Sequence, residues 1–147
     1  MQTALKIERS IVVKAAQEKV WRALTTPEAI AKWFEVFEFD RLEAGQPIHF
    51  RWEPHPSVDF TETFGEIALV EPMSRFGYRW RIAPTEPVTT LVMFELEAVP
   101  EGTRVTVTET GFEALSEGQR QQRFQDNLAG WEEVINKLAN YVQEQAS

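Results

Sequence analysis

Apolar residues recur at every second position over most of the first 110 residues, and at every third or fourth position after that. The first period alternates side chains between the two faces of a strand; the second lines them along one stripe of a helix. Residues 3–13 (TALKIERSIVV) read as a strand, with Leu5 and Ile7 on one face and Ile11 and Val13 continuing it. Residues 16–24 (AQEKVWRAL) read as a short helix with Val20, Trp21 and Leu24 on its apolar side. Thr26 then supplies an N-cap and Pro27 a first helical position, opening a second short helix, PEAIAKW.

From 34 to 110 the pattern predicts strands bounded by turn residues: 34–40, 47–53, 58–70, 74–82, 88–98 and 103–110. No helix intervenes, so the strands form an antiparallel meander. Period two assigns the faces. Ile48, Phe50 and Trp52 oppose His49, Arg51 and Glu53; Phe76, Tyr78 and Trp80 oppose Arg75, Arg79 and Arg81. Val92, Phe94 and Leu96 oppose Met93, Glu95 and Glu97, and Val105 and Val107 oppose Arg104, Thr106 and Thr108. One sheet face is therefore apolar and the other polar and solvated. Ser116 to Gln119 has the form of a capping box. Behind it, Phe124, Leu128, Trp131, Ile135, Leu138 and Val142 form an amphipathic stripe. That helix, about 28 residues and roughly 42 Å long, is the only element able to cover the apolar face of a curved sheet of about seven strands. The space between them is expected to be an aromatic-lined pocket of the kind that takes small molecules.

Length and charge narrow the classes. The chain of 147 residues is expected to be one domain, 1–147, large enough to hold a core. It has no cysteine, which excludes disulfides, thiol catalysis and thiolate metal sites. With 15 basic and 23 acidic residues the net charge is −8, a field that repels nucleic acid. No secretory h-region is visible in MQTALKIERS and no apolar run is long enough for a membrane span. A cytoplasmic protein is the expectation.

Four segments then carry a resemblance: VWRALTTPEAIAKWF at 20–34, FGEIALVEPMSRFGYRW at 64–80, TLVMFELEAVPEGTRVTVTETGF at 90–112, and the pair Gly130-Trp131. In that order, over nearly the whole chain, they resemble the SRPBCC or START-like superfamily, and within it the Aha-type C-terminal domain named for activation of a heat-shock chaperone's ATPase. The resemblance implies an α+β helix-grip (START-like, Bet v-type) fold: a curved antiparallel sheet wrapped on a long C-terminal helix, with two short helices after the first strand. It does not imply one function, because the superfamily includes lipid-transfer proteins, hormone receptors, polyketide cyclases and co-chaperone domains. The Aha-type proteins resembled also carry an additional N-terminal domain, which a chain of 147 residues is expected to be too short to contain.

Candidate chemistry follows from the inward faces. Glu109 shares the inward parity of Val105 and Val107, and Glu62 shares that of Phe60 and Phe64. Buried carboxylates can serve as acid or base near neutrality. The competing readings are a parity shift at Gly65, an ion pair with arginine, or a cap on the loop before the last helix. Tyr78 is placed to orient a ligand or to hold a structural hydrogen bond. Trp33, Phe37, Phe50, Trp52 and Phe60 are expected to line the pocket from the first half of the chain. Phe64, Tyr78, Trp80, Phe94, Phe124, Leu128 and Trp131 are expected to line it from the second. Gly130, unfavourable inside a helix by about 1 kcal/mol, marks either close approach of helix to sheet, the preferred reading, or room for a ligand. Arg75, Arg79, Arg81 and Arg104 lie on the polar face and are expected to pair with Glu95 and Glu97 across strands. His49 and His55, with Glu53 and Asp59, match no metal-ligand spacing, so no metal is expected. No phosphate loop, nucleophile elbow or dinucleotide fingerprint calls for a cofactor. The reading is a binder of a small hydrophobic, lipid-like or aromatic molecule. The alternatives are a cyclase, isomerase or hydrolase using Glu109 or Glu62, and a chaperone-associated stress-response protein. Both monomer and homodimer remain open.

Overall fold

Period-two alternation emerges as a seven-stranded antiparallel sheet in the computed structural model, which describes residues 6–34, 36–51, 61–81, 89–115 and 117–146. Its strands are β1 (Ile7–Val13), β2 (Val36–Glu38), β3 (Pro47–Arg51), β4 (Glu62–Glu71), β5 (Arg75–Arg81), β6 (Thr89–Val99) and β7 (Gly102–Thr110). The spatial order β1-β7-β6-β5-β4-β3-β2 is a meander closed at one side by the first strand. Helices α1 (Gln17–Thr25) and α2 (Pro27–Trp33) follow β1, and α3 (Glu117–Ala146) ends the chain. The architecture is the expected α+β helix-grip: a curved antiparallel sheet, two short helices and one long one.

The short helices form where the sequence places them. Thr26 closes α1 and opens α2, its backbone N–H donating to the Arg22 carbonyl; Pro27 begins α2, where its missing N–H is harmless. Thr26 makes no side-chain cap. The Trp33 indole N–H donates to the Ala23 carbonyl at 2.9 Å, tying α2 back onto α1. A 3-10 turn at Phe112–Ala114, entered through Gly111 in the left-handed region (φ 107°), links β7 to α3. The capping box expected at Ser116–Gln119 lies outside the described residues.

Burial follows the predicted faces on β5, β6 and β7, where Phe76, Tyr78, Val92, Phe94, Val105 and Val107 are all buried. The stripe of α3 is buried along its C-terminal half, through Trp131, Ile135, Leu138 and Val142, whereas Phe124 and Leu128 are only half-buried. The core therefore thins toward the start of α3.

One close approach and one bulge shape the sheet. A β-carbon at Gly65 would lie 1.9 Å from the Arg79 carbonyl oxygen, so β4 meets β5 there only because glycine has no side chain. The parity shift anticipated at Gly65 occurs instead between Ile67 and Leu69, where Ala68 is the extra residue of a bulge. Bulges bend and twist the bulged strand, which contributes to the curvature. Gly65→Ala is expected to force backbone movement and lower stability by about 1–3 kcal/mol, read as a lower urea midpoint. An unchanged midpoint would remove the close approach from this account.

Candidate functional site

Glu109 is the one acidic side chain among the described residues that is wholly buried. Alternation on β7 makes this unavoidable: Thr103, Val105, Val107 and Glu109 share the inward face and are all buried. Register delivers its sheet neighbours. Val92 of β6 lies opposite Glu109, and Thr90 of β6 lies opposite Trp80 of β5. Helical spacing delivers the rest, because Asn127 and Trp131 are four apart on α3 and face the sheet together.

Each carboxylate oxygen receives two donors. Oε1 accepts from Asn127 Nδ2 at 3.0 Å and from Trp131 Nε1 at 2.7 Å. Oε2 accepts from Trp80 Nε1 at 2.9 Å and from the Thr90 hydroxyl. The Trp80 N–H is shared with Thr90 Oγ1 at 3.0 Å. Two indoles, an amide and a hydroxyl are all neutral, and together they complement a carboxylate that only accepts. Neither the arginine pair nor the loop cap considered from sequence is what holds Glu109.

Rings pack around this cage. Trp131 lies 5.7 Å from Phe34, 6.0 Å from Trp80 and 5.8 Å from Phe94, centroid to centroid. Tyr78 is fully buried among Phe37 at 5.3 Å, Phe50 at 5.4 Å, Phe76 at 5.9 Å and Trp80 at 5.6 Å. Trp33 stacks on Phe34 at 5.5 Å. The gap left among Leu24, Ile30, Trp33, Phe34, Phe37, Phe76 and Phe94 has no room for a water molecule. Side chains thus fill this part of the expected pocket. Burial is incomplete for Trp80 and Asn127 of the cage, for Phe34, which packs on Trp131, and for Phe124 and Leu128 on the turns of α3 before Trp131. Phe124 meets Phe112 edge-on at 5.5 Å. A β-carbon at Gly130 would meet nothing within 4 Å, so close helix–sheet approach, the preferred reading, is corrected: the glycine leaves open space beside the helix.

Two predicted residues are on the other face. Phe50 pairs with Thr63 and His49 with Phe64, so Thr63 turns inward while Glu62 and Phe64 turn outward. The expected inward parity of Glu62 and Phe64 is therefore corrected by one position of register. Phe64 is 46% exposed and stacks on the His49 ring at 4.7 Å; Glu62 and His49 Nε2 are 2.8 Å apart. Trp52 and Phe60, with Glu53, His55 and Asp59, lie outside the described residues. On the same outer face Arg104 reaches Glu97 at 3.7 Å, as expected, whereas Arg75 bonds Glu71 across the β4–β5 turn. That hydrogen bond holds the Glu71 carboxyl below its ordinary range.

The sequence reading missed Thr90 and Asn127. Thr90 shares the inward parity of Val92, and Asn127 sits one turn before Trp131, so both signals were present. It also missed an open cleft of about 530 Å³ on the β2–β3 side, lined by Pro27, Phe37, Ile48 and Phe64 with Glu28, Glu38 and Asp40.

The family model described as Activator of Hsp90 ATPase homolog 1-like protein matches residues 14–143. The chain belongs to that family. A search of curated proteins found no match. Among solved structures, this family member is similar to a protein from Mesorhizobium loti, at 24% identity and TM-score 0.78, over 95% of this chain and 97% of that one. The Aha1 dimer from Colwellia psychrerythraea is similar at 20% identity and TM-score 0.72, over 94% and 96%. DynU16, a putative protein in the dynemicin biosynthetic locus, is similar at 23% identity and TM-score 0.77, over 96% of this chain and 48% of that one. Identities this low speak for the shared fold. No helix among the described residues is long and apolar enough to cross a membrane.

Glu109→Gln replaces one accepting oxygen by a donor and orphans two of the four partners. At about 1–3 kcal/mol for each orphaned donor, a loss of about 3 kcal/mol is expected in urea unfolding. Glu62→Gln, on the exposed face, is expected to change stability by no more than about 0.5 kcal/mol. Equal effects of the two variants would contradict the cage.

Proposed function

We propose that this family member binds a small apolar, ring-bearing molecule between the sheet and the N-terminal half of α3. The observation that carries the reading is the set of half-buried side chains, Phe34, Trp80, Phe124 and Leu128, gathered beside a fully hydrogen-bonded buried carboxylate. Apolar walls with a few fixed polar groups are the usual make-up of a small-molecule site. The tightly packed rings nearer α2 leave no free volume. A ligand therefore takes its place by displacing the half-buried Phe34 and Phe124, with Trp80, tied to Glu109, and the better-packed C-terminal half of α3 staying in position.

Glu109 is a positioning residue in this reading. Its lone pairs are filled by four donors, so it orients Trp80 and Trp131 instead of exchanging a proton with a substrate. That arrangement favours binding over the cyclase, isomerase or hydrolase alternative. Trp33, Phe37, Phe50, Tyr78 and Phe94 then back the site as its packed wall. A second reading, docking of a partner protein as the family's description suggests, has support from the open cleft beside Phe64.

The test is fluorescence titration with N-phenyl-1-naphthylamine, a neutral ring compound, combined with thermal unfolding. A ligand at 100 times its dissociation constant adds about 2.7 kcal/mol, and the melting temperature is expected to rise by roughly 5–10 °C. Leu128→Glu should weaken binding roughly tenfold or more while Phe64→Ser leaves it unchanged. Loss with Phe64→Ser and not with Leu128→Glu would move binding to the outer cleft. Absence of saturable binding to any neutral ring compound would overturn the reading. Gly130→Ala is expected to raise stability by up to about 1 kcal/mol, since its methyl group meets open space; a lower urea midpoint would contradict that space.

A further inference from the structure

We infer that the site beside α3 selects neutral or cationic ring compounds and turns away carboxylates and other anions, because a buried carboxylate with only neutral partners forms its base. The inference rests on the proposed small-molecule reading and adds the charge class of the ligand.

The argument starts from the four donors on Glu109. Trp80, Thr90, Asn127 and Trp131 satisfy it as hydrogen-bond partners, yet none carries a positive charge. Hydrogen bonds from neutral dipoles stabilise the carboxylate where it sits; they do not cancel its field at a distance as a guanidinium would. Glu109 is 0% exposed, so solvent and salt screen it poorly.

Among the described residues no cation hydrogen-bonds Glu109. On α3 the Arg120 guanidinium keeps its positive charge but is anchored at the start of the helix, on the carbonyls of Glu113 and Leu115 at 3.1 and 3.2 Å, and is not one of the donors to Glu109. Arg123, one turn before Asn127, is the remaining cation on this half of the helix and is half-buried. A site built for fatty acids or other carboxylates would place a cation where Glu109 stands. An anion held ~8 Å from Glu109, at an effective dielectric constant of ~20, is disfavoured by roughly thirtyfold in affinity.

The experiment uses three compounds with one ring system: naphthalen-1-ylmethanol, 1-naphthylmethylamine, which is a cation at neutral pH, and 1-naphthoate. Comparing the cation with the anion sets aside the hydration that both charged forms lose. Isothermal titration of the intact chain is expected to show the alcohol and amine binding and the naphthoate weaker than the amine by roughly tenfold or more. The preference should persist at ~0.5 M salt, where fields from exposed charges are screened. Arg123→Gln should leave it unchanged. Glu109→Gln, checked for folding by near-ultraviolet circular dichroism, should abolish it.

Naphthoate binding as tightly as the amine would overturn charge selection and leave the small-molecule reading standing. A preference that disappears at high salt would trace it to the overall surface charge, and would also overturn the inference. Persistence of the preference in folded Glu109→Gln would do the same. If that variant does not fold, the salt series on the unaltered chain decides. Failure of all three compounds to bind would instead overturn the small-molecule reading, and the inference with it.

Discussion

A carboxylate out of contact with water must have its lone pairs filled, and Glu109 meets that demand with groups from two neighbouring strands and a helix. Trp80 comes from β5, Thr90 from β6, Glu109 from β7, and Asn127 and Trp131 from α3. A slip of one residue in β6 or β7 would turn Thr90 or Glu109 to the solvent face. A rotation of α3 would remove both of its donors. The apolar core alone tolerates such changes more readily, since many packings bury similar area. The cage therefore ties sheet register to helix orientation, and the half-buried rings beside it owe their positions to that tie.

The two halves of α3 differ in how firmly they are held. Trp131, Ile135, Leu138, Ala139 and Val142 are buried against the sheet and the short helices. Phe124 and Leu128, on the same stripe, retain exposure, and Gly130 leaves an open space where alanine would fit. Local opening follows the density of buried apolar contact. Separation of helix from sheet accordingly begins N-terminal to Trp131. Such an opening would expose Trp80 and Asn127 before it disturbed the core around Leu138.

How much of this was legible depends on which physical rule governed each residue. Alternation was sufficient on β5, β6 and β7, where no bulge interrupts and inward residues could be counted directly. It also brought Glu109 inward. On β4 the same counting linked Glu62 to Phe64 correctly but had no way to say which face they took. The face is set by pairing of Phe50 with Thr63, a non-local fact. The bulge at Ala68 left no mark that separated it from a bend at Gly65. Thr90 and Asn127 were visible as polar residues on apolar faces, yet their meaning needed the strand order, which puts Trp80, Thr90 and Glu109 on successive neighbours. Gly130 was misjudged because a glycine in a helix signals missing side-chain volume without saying whether anything fills it.

The same cage bears on the choice between catalysis and binding. A general base needs a free lone pair within reach of the proton it removes. Each oxygen of Glu109 already accepts two hydrogen bonds, one of them from an indole that can only donate. Freeing a lone pair would mean moving Trp80, Thr90, Asn127 or Trp131, and with it a wall of the site. The other candidate carboxylate, Glu62, stands on the opposite face of the sheet beside His49. What remains on the concave side is a set of rings held in place by a carboxylate they themselves satisfy. Rings fixed in that way fit the proposed shape recognition better than they fit proton transfer.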